Sequence, residues 1–352
     1  MELYIGVDGG GTKTEVTLYN PDGQTAVVIT GRASNPNTVG IDNAVSVVMS
    51  LVCRALAEIE RVPAGGNRTE AAECKGEHQP HPVSLDAHLT ERVRGLSLCM
   101  SGVDRLDQMA SLSSRFQAEF PYAKVEVVND ALAALTAGTR GTSGVVVIAG
   151  TGSIAAGESW RGRTARAGGY GNLIGDEGSG FDIGRRGIMA AIQYAEHRGP
   201  STQLWDVAQE VFRVREPQEI IPRIYDSVHS IGAVASFARH VLEAVSQDAV
   251  ALEIVKESAR AFVGMTVSVR EQLAEEVSNR IVLAGGLFTH TAVLRDAFDS
   301  SLRRVWPGVV CEPLTERPSS GAVLRALRAV HQEKMAISKW QQVMAGARRV
   351  GR

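Results

Sequence analysis

At 352 residues the chain is longer than one hydrophobic core usually supports, so we expect two domains. A formal net charge of −2 excludes a general nucleic-acid or membrane-surface role, because either would need a basic face. We expect a cytoplasmic protein without a zinc site, a disulfide framework or a membrane partner, since the four cysteines form no CxxC pair and neither a leader peptide nor a membrane-spanning segment is evident.

The first residues predict a strand, a glycine turn and a second strand. Ile5 to Asp8 is a short apolar strand, Gly9 to Lys13 is the turn, and Thr14 to Tyr19 alternates polar and apolar residues. Thr25 to Ile29 is predicted to add a third antiparallel strand. Glycines leave the turn without side-chain bulk, so its backbone N–H groups can converge on an anion.

The next segment contains a polar cluster and a change of composition. Ser34 to Asn37 (SNPN) either lines a substrate cleft or forms a plain turn. Ile41 to Arg61 has the apolar spacing of a helix. Residues 63–93 are rich in Gly, Pro, His and charge, which predicts an exposed insertion.

Asp130 lies where a strand ends and a helix begins. Val125 to Val128 is a predicted strand, and Ala131 to Ala137 is a predicted helix. An active-site carboxylate in an open α/β sheet often occupies this position. A plain helix N-cap also occupies it, and the sequence leaves both interpretations open.

A second glycine hairpin follows near the middle of the chain. Val145 to Ala149 is an apolar strand rich in β-branched residues, Gly150 to Ser153 is the turn, and Ile154 to Ala156 resumes the apolar run. Two turns of one design indicate a duplicated fold that holds a nucleotide between its halves.

Residues 168–180 contain six glycines and two adjacent carboxylates, Asp176 and Glu177. Because each glycine costs backbone entropy, this loop predicts a site rather than a stability element. The carboxylates could meet a hydroxylated ligand, a metal, or the first turn of the helix from Phe181. Arg280 to Ala284 is a last buried strand, and the Gly285-Gly286 pair after it would let a flat ring approach the backbone.

In this order the motifs resemble the actin-like, sugar-kinase and Hsp70 ATPase superfamily. Within it the chain is similar to the N-acetylglucosamine kinase group, itself related to the activator ATPases of benzoyl-CoA reductase. The motifs that carry the resemblance run from Gly6 to Leu287 and are GVDGGGTKTEV, ASNPNTVG, VVNDALAAL, IAGTGS, GGYGNLIGDEGSG and LAGGL. The implied fold is α/β, with two actin-like (ribonuclease H-like) domains of mixed sheets and flanking helices around a central cleft.

The resemblance also implies a role for individual residues. Asp130 would be the base that accepts the proton of the attacking sugar 6-hydroxyl, and Asp8 would organise Mg²⁺ through water. The residues implied to bind ATP are Gly10, Gly11, Thr12, Lys13, Thr151, Gly152, Ser153, Ala235, Gly285 and Gly286. Those implied to bind the sugar are Asn35, Asp130, Gly169, Tyr170, Gly171 and Asp176.

The expected protein is therefore an ATP- and Mg²⁺-dependent kinase for the 6-hydroxyl of an amino sugar, first of all N-acetylglucosamine. Glucosamine and N-acetylmuramic acid remain alternatives, and a homodimer stays open. An activator ATPase is disfavoured because no cysteine lies in the acidic loop or near Gly285-Gly286. A sugar-sensing regulator is disfavoured because few residues precede the first strand, where such proteins carry a DNA-binding motif.

Two features of the sequence depart from that resemblance. The 63–93 insertion has no counterpart in compact members, and Tyr170 replaces the Trp of some relatives. We expect an N-terminal domain over residues 1–140 and a C-terminal domain over 141–352. Whether the terminal helix packs back on the N-terminal domain is left open.

Overall fold

The computed structural model describes residues 2–22, 24–63, 67–71, 87–225, 230–274 and 276–331. These residues form two compact units. The first unit contains the described residues up to Thr142 together with those from Thr315 onward, and the second unit is Ser143–Leu314.

Both units contain strands and helices. In chain order the strands are β1 Leu3–Gly9, β2 Lys13–Asn20, β3 Thr25–Arg32, β4 Asn67–Ala71, β5 Val93–Met100, β6 Lys124–Asn129, β7 Gly144–Ala149, β8 Ser153–Glu158, β9 Thr164–Gly168, β10 Arg280–Ala284 and β11 Val310–Pro313. The helices are α1 Pro36–Val39, α2 Ile41–Ile59, α3 Ala87–Thr90, α4 Leu106–Glu119, α5 Ala131–Thr139, α6 Gly180–Ala195, α7 Leu204–Phe212, α8 Ile220–Tyr225, α9 Ser230–Ser236, α10 Ala238–Ala244, α11 Ala249–Gln272, α12 Gly286–Thr289, α13 Ala292–Val305 and α14 Pro318–Val330. A 3₁₀ turn, Pro217–Glu219, precedes α8.

The first unit is built on a six-stranded sheet in the order β4-β3-β2-β1-β5-β6. β1, β2 and β3 form an antiparallel meander, whereas β5 and β6 continue the sheet parallel to β1. Apolar side chains of α2, including Val48 and Leu51, pack with one face of the sheet, and α14 covers the other face. The predicted N-terminal hairpin and its third strand are confirmed.

The second unit repeats this design with a five-stranded sheet in the order β11-β10-β7-β8-β9. β7, β8 and β9 form the antiparallel meander, and β10 and β11 run parallel to β7. The long helix α11 packs on this sheet, and Phe262 within it meets Phe288 and Phe298 in an aromatic cluster. Two mixed sheets flanked by helices confirm the predicted fold class, and their matching order agrees with the duplication inferred from the two glycine hairpins.

The helix α14 lies in the first unit although it follows the second unit in sequence. Glycines make this packing close: a Cβ on Gly6 of β1 would lie 2.2 Å from the Val323 nitrogen, and a Cβ on Gly321 would lie 2.1 Å from the Ala133 oxygen. Backbone therefore packs directly on backbone where α14 crosses β1 and α5.

The predicted insertion at 63–93 is only partly described. Within it, Asn67–Ala71 pairs parallel with β3 and extends the sheet, and Ala87–Thr90 is a short helix. This part of the segment is therefore regular structure rather than exposed loop. The expectation for residues 72–86 lies outside the described residues.

Candidate active site

The first glycine turn joins β1 to β2. The Gly10 N–H donates to the Lys13 carbonyl at 2.9 Å and closes the turn, and the Ser34 N–H donates to the Gly10 carbonyl at 3.2 Å. Gly11, Thr12 and Lys13 are exposed. A Cβ on Gly11 would meet no atom within 4 Å, so packing does not require glycine there. Because Gly11 has no side chain, the backbone of the turn is open to a ligand.

The second glycine turn joins β7 to β8 and rests on the start of α6. The N–H groups of Gly180 and Phe181 donate to the carbonyls of Gly150 and Thr151 at 2.8 and 3.2 Å. A Cβ on Gly150 would meet nothing closer than 3.9 Å. This turn too is open, and it adjoins the N-terminal end of a 16-residue helix, where the helix dipole favours an anion.

Asp176 connects this turn to the acidic glycine loop. Its Oδ1 accepts a hydrogen bond from the Ser153 N–H at 3.2 Å, and the Ser153 hydroxyl donates to the Glu177 carbonyl at 2.9 Å. Burial raises the pKa of the Asp176 carboxyl, and the bond from Ser153 opposes that rise. The N-cap of α6 is Ser179, whose hydroxyl accepts from the Asp182 N–H, so capping does not explain Asp176.

The glycine loop leaves β9 and presents an aromatic ring. Gly168, Gly169 and Gly171 have φ of +74°, +73° and +84°, the left-handed region that glycine adopts without steric cost. Between them the Tyr170 side chain is 63% exposed, and the guanidinium of Arg166 lies over its ring, 5.0 Å from the centroid. A large aromatic side chain is thus displayed rather than buried.

The remaining predicted residues of the second unit lie at the same edge of its sheet. Gly285 follows β10 directly, has φ of +89°, and approaches β7 so closely that a Cβ would lie 2.3 Å from the Ala149 oxygen. Ala235 lies beside the start of α6, its Cβ 3.7 Å from the Cβ position of Gly180. The structure therefore brings Ala235 and Gly285 to the neighbourhood of the second glycine turn.

In the first unit two carboxylates lie at the carboxyl ends of parallel strands. Asp8 is the penultimate residue of β1, and Asp130 follows β6. Asp130 occupies the N-cap position of α5, but its side chain forms no capping hydrogen bond. The Asn129 side chain instead accepts from the Ala131 N–H at 3.0 Å. The side chain that caps α5 is therefore that of Asn129, and the role of Asp130 stays a prediction.

Asp130 contacts a polar residue that sequence reasoning missed. The Ser101 hydroxyl lies near the Asp130 carboxyl and lowers its pKa, and the Asn35 amide Nδ2 donates to the same hydroxyl at 3.4 Å. Asn35 also caps α1, its Oδ1 accepting from the Asn37 N–H at 2.9 Å. Ser101 follows β5, the strand between β1 and β6, and this position at the shared sheet edge was the available signal.

Burial raises the pKa of both carboxyl groups. Burial is the main cause that raises the pKa of Asp130 to about 6, and repulsion from the Asp104 carboxylate also raises it. The Ala131 N–H and the Ser101 hydroxyl lower it. Burial also raises the pKa of Asp8 to about 7, with Asp130 and then Glu15 adding repulsion and Lys13 opposing it. An added cation would relieve the repulsion at Asp8.

This arrangement suits a cation that keeps most of its water. Within the described residues no group of three or more His, Cys, Asp and Glu side chains could hold a metal ion by itself. Mg²⁺ typically takes one or two protein carboxylates together with water and substrate phosphates, which fits Asp8 beside an open glycine turn.

Among the helices in the described part of the chain, none has the length and hydropathy to cross a membrane.

Comparisons with known proteins agree with this geometry. The profile of the BadF/BadG/BcrA/BcrD ATPase family matches residues 5–326. The chain is 30% identical to an N-acetylmuramic acid/N-acetylglucosamine kinase of Clostridium acetobutylicum, over 93% of this chain and 98% of that protein. It is 28% identical to an N-acetyl-D-glucosamine kinase of Dictyostelium discoideum, over the same shares. A solved candidate N-acetylglucosamine kinase from Chromobacterium violaceum has the same fold, with a TM-score of 0.64 at 21% identity over 92% of this chain and 98% of that one.

Proposed function

Because this chain belongs to the BadF/BadG/BcrA/BcrD ATPase family, we propose that it is an ATP-dependent kinase that phosphorylates the 6-hydroxyl of an amino sugar, first of all N-acetylglucosamine. The observation that carries the proposal is Asp130, a half-buried carboxyl whose side chain does not cap its helix and lies near Ser101 at the sheet edge. A structural aspartate would cap the helix, whereas a base must keep its carboxylate available to the substrate.

The two glycine turns are proposed to hold the phosphates of ATP. Gly11 and Gly150 lack a packing reason to be glycine, so their open backbone is available to phosphate oxygens. Lys13 is exposed at the first turn, and the N-terminal end of α6 lies behind the second. Gly285, Gly286 and Ala235 are proposed to flank the adenosine.

Asp130 is proposed to act as the general base. The sugar 6-hydroxyl loses its proton to the Asp130 carboxylate as its oxygen forms a bond to the γ-phosphorus, the bond from that phosphorus to the β–γ bridging oxygen breaks, and ADP leaves. Asn35, Gly169, Tyr170, Gly171 and Asp176 are proposed to hold the sugar. When bound at Asp8, Mg²⁺ would supply neutralising charge for the phosphates.

A coupled assay of ADP release tests the proposal across four sugars. With Mg²⁺ and ATP present, we expect turnover with N-acetylglucosamine, and comparison with glucosamine, N-acetylmuramic acid and glucose ranks the alternatives. NMR of the product should place the phosphate on the 6-oxygen. ATP turnover that no hexosamine changes, but that needs an electron-transfer partner, would overturn the proposal in favour of an activator ATPase.

The open second turn leads to a prediction about ATP. Gly150→Ala adds a methyl group that meets no protein atom closer than 3.9 Å, so the melting temperature should not change. The methyl group would obstruct the backbone that faces the phosphates, and the KM for ATP should rise roughly tenfold, the equivalent of ~1.4 kcal/mol. Steady-state kinetics and thermal unfolding measure the two effects.

Gly264→Ala is the matched control for that variant. Gly264 lies in α11, and a Cβ there also meets nothing within 4 Å. Alanine in a helix should leave the KM for ATP unchanged and stabilise the protein by ~0.5–1 kcal/mol. If Gly150→Ala kept the parent KM for ATP, the assignment of this turn to the phosphates would be wrong.

A further inference from the structure

Arg166 lies on the strand that leads into the glycine loop. It belongs to β9, the edge strand of the second sheet, where it pairs with Ala156 of β8. The chain leaves β9 two residues later and enters the loop that carries Tyr170. A side chain at this position can extend over the first residues of the loop that follows.

The guanidinium of Arg166 contacts three consecutive residues of that loop. Its Nη2 donates to the Gly168 carbonyl at 3.0 Å and to the Gly169 carbonyl at 3.1 Å. The same group lies over the Tyr170 ring, 5.0 Å from its centroid. One planar cation therefore holds the loop's backbone and one face of its aromatic ring together.

The contact lies where glycines give the backbone its greatest conformational freedom. Gly168, Gly169 and Gly171 lie on either side of Tyr170 with positive φ, and glycine gives a chain more conformational freedom than any other residue. The Tyr170 side chain is 63% exposed, so burial does little to fix it. Contact with a guanidinium restricts the ring while exposure leaves it accessible.

Arg166 is itself anchored to the body of the second unit. Its carbonyl accepts a hydrogen bond from the Gln272 side chain at 3.0 Å, and that amide also contacts Ser268 one turn earlier in α11. The loop is thus connected through Arg166 to the long helix that packs on the sheet. Arginine suits this position because its planar fork can donate to carbonyls and stack on a ring together, which a lysine ammonium cannot.

We propose that Arg166 is a positioning residue for sugar binding, which holds the Tyr170 ring in the orientation that the sugar meets. This inference rests on the proposed function, in which Tyr170 contacts the sugar. Arg166 acts through Tyr170 and the loop carbonyls, not on the reacting atoms. Its loss should therefore weaken sugar binding without slowing phosphoryl transfer.

Steady-state kinetics of Arg166→Ala and Arg166→Lys test the proposal. We expect Arg166→Ala to raise the sugar KM about fivefold through the loss of the cation–π contact, with kcat and the KM for ATP nearly unchanged. Arg166→Lys should recover part of the loss, because it keeps the charge but not the fork. Arg161→Ala is the control, since Arg161 lies in the β8–β9 connection and pairs with Glu276 instead.

A double-mutant cycle with Tyr170→Ala separates positioning from a general structural effect. If Arg166 acts through the ring, adding Arg166→Ala to Tyr170→Ala should raise the sugar KM by less than twofold beyond the single Tyr170 variant. An equal rise in both backgrounds would overturn the proposal, as would a parent-like KM in Arg166→Ala.

Hydrogen exchange of peptides covering residues 169–175 gives a readout that needs no substrate. Arg166→Ala should speed exchange there, while Arg161→Ala should not. If the parent phosphorylates no hexosamine, the proposed function fails and exchange alone decides whether Arg166 positions the loop. Unchanged exchange in Arg166→Ala would overturn the positioning role whatever the substrate.

Discussion

Replacing Asp130 with asparagine is expected to lower kcat by ~10²–10⁴, the range for loss of a positioned base. Asparagine keeps the size of the side chain and a carbonyl oxygen, so contacts with Ser101 and with sugar hydroxyls can survive. It cannot take up the proton of the attacking hydroxyl. The sugar KM should therefore change much less than kcat in steady-state assays with saturating Mg²⁺ and ATP.

The Asp130→Asn variant should leave the cap of α5 intact. Asn129, not Asp130, caps α5 with its side chain, so no capping loss should blur the measurement. Asp107→Asn is the matched control, because Asp107 lies in the first turn of α4 with an exposed carboxylate and should keep parent kinetics. A near-normal kcat in Asp130→Asn would remove the base from the proposed mechanism.

The parent enzyme should also lose activity in mild acid. The pKa of Asp130 is raised to about 6, mainly by burial, and only the deprotonated carboxylate can accept the substrate proton. At saturating Mg²⁺, which would keep Asp8 ionised, the kcat/KM for the sugar should thus approach its maximum above pH 7 and fall about tenfold per pH unit well below 6. The residual activity of Asp130→Asn should lack this step, and an identical step in both would assign it to another group.

The sequence predicted the elements that depend on local pattern. Both hairpins were predictable because alternating or β-branched strands flank short glycine turns, and the structure pairs Asp8 with Glu15 and Ala149 with Ser153 across them. Family motifs in order then identified the fold, which the family match and the solved relative confirm. The functional assignments of the site residues remain predictions.

What the sequence could not provide depends on contacts between distant segments. Whether Asp130 or Asn129 caps α5 is a matter of rotamer and backbone angle, which no spacing encodes. Ser101 joins Asn35 and Asp130 only because β5 lies between β1 and β6. The pairing of Asn67–Ala71 with β3 was missed because a segment rich in charge and glycine has little strand propensity of its own.

The return of α14 to the first unit leads to the largest expected stability effect. Arg325 in this helix is 8% exposed and donates to Glu126 of β6 through Nη2 at 2.6 Å and Nε at 3.1 Å. Ser97 also donates to that carboxylate. Arg325→Met keeps an apolar stem in the packed helix but leaves Glu126 without its cation. Removing one partner of a buried pair costs ~3–5 kcal/mol, and the 29% exposure of the Glu126 side chain favours the lower end.

Two further variants determine whether the charge pair itself is responsible. Arg325→Met with Glu126→Gln should recover a large part of the loss, because no uncompensated charge is left among Ser97 and its neighbours. Arg303→Ala removes the more exposed guanidinium of the Arg303–Asp299 pair on α13 and should change stability much less. Denaturant titrations followed by hydrogen exchange of β5 and β6 report on the first unit separately, since a two-unit protein need not unfold in one step. If Arg325→Met unfolded at the parent midpoint, the pair would contribute no net stability, and α14 would be held by its other contacts, among them the backbone packing on β1 and α5 and the apolar contacts with Tyr4 and Tyr19.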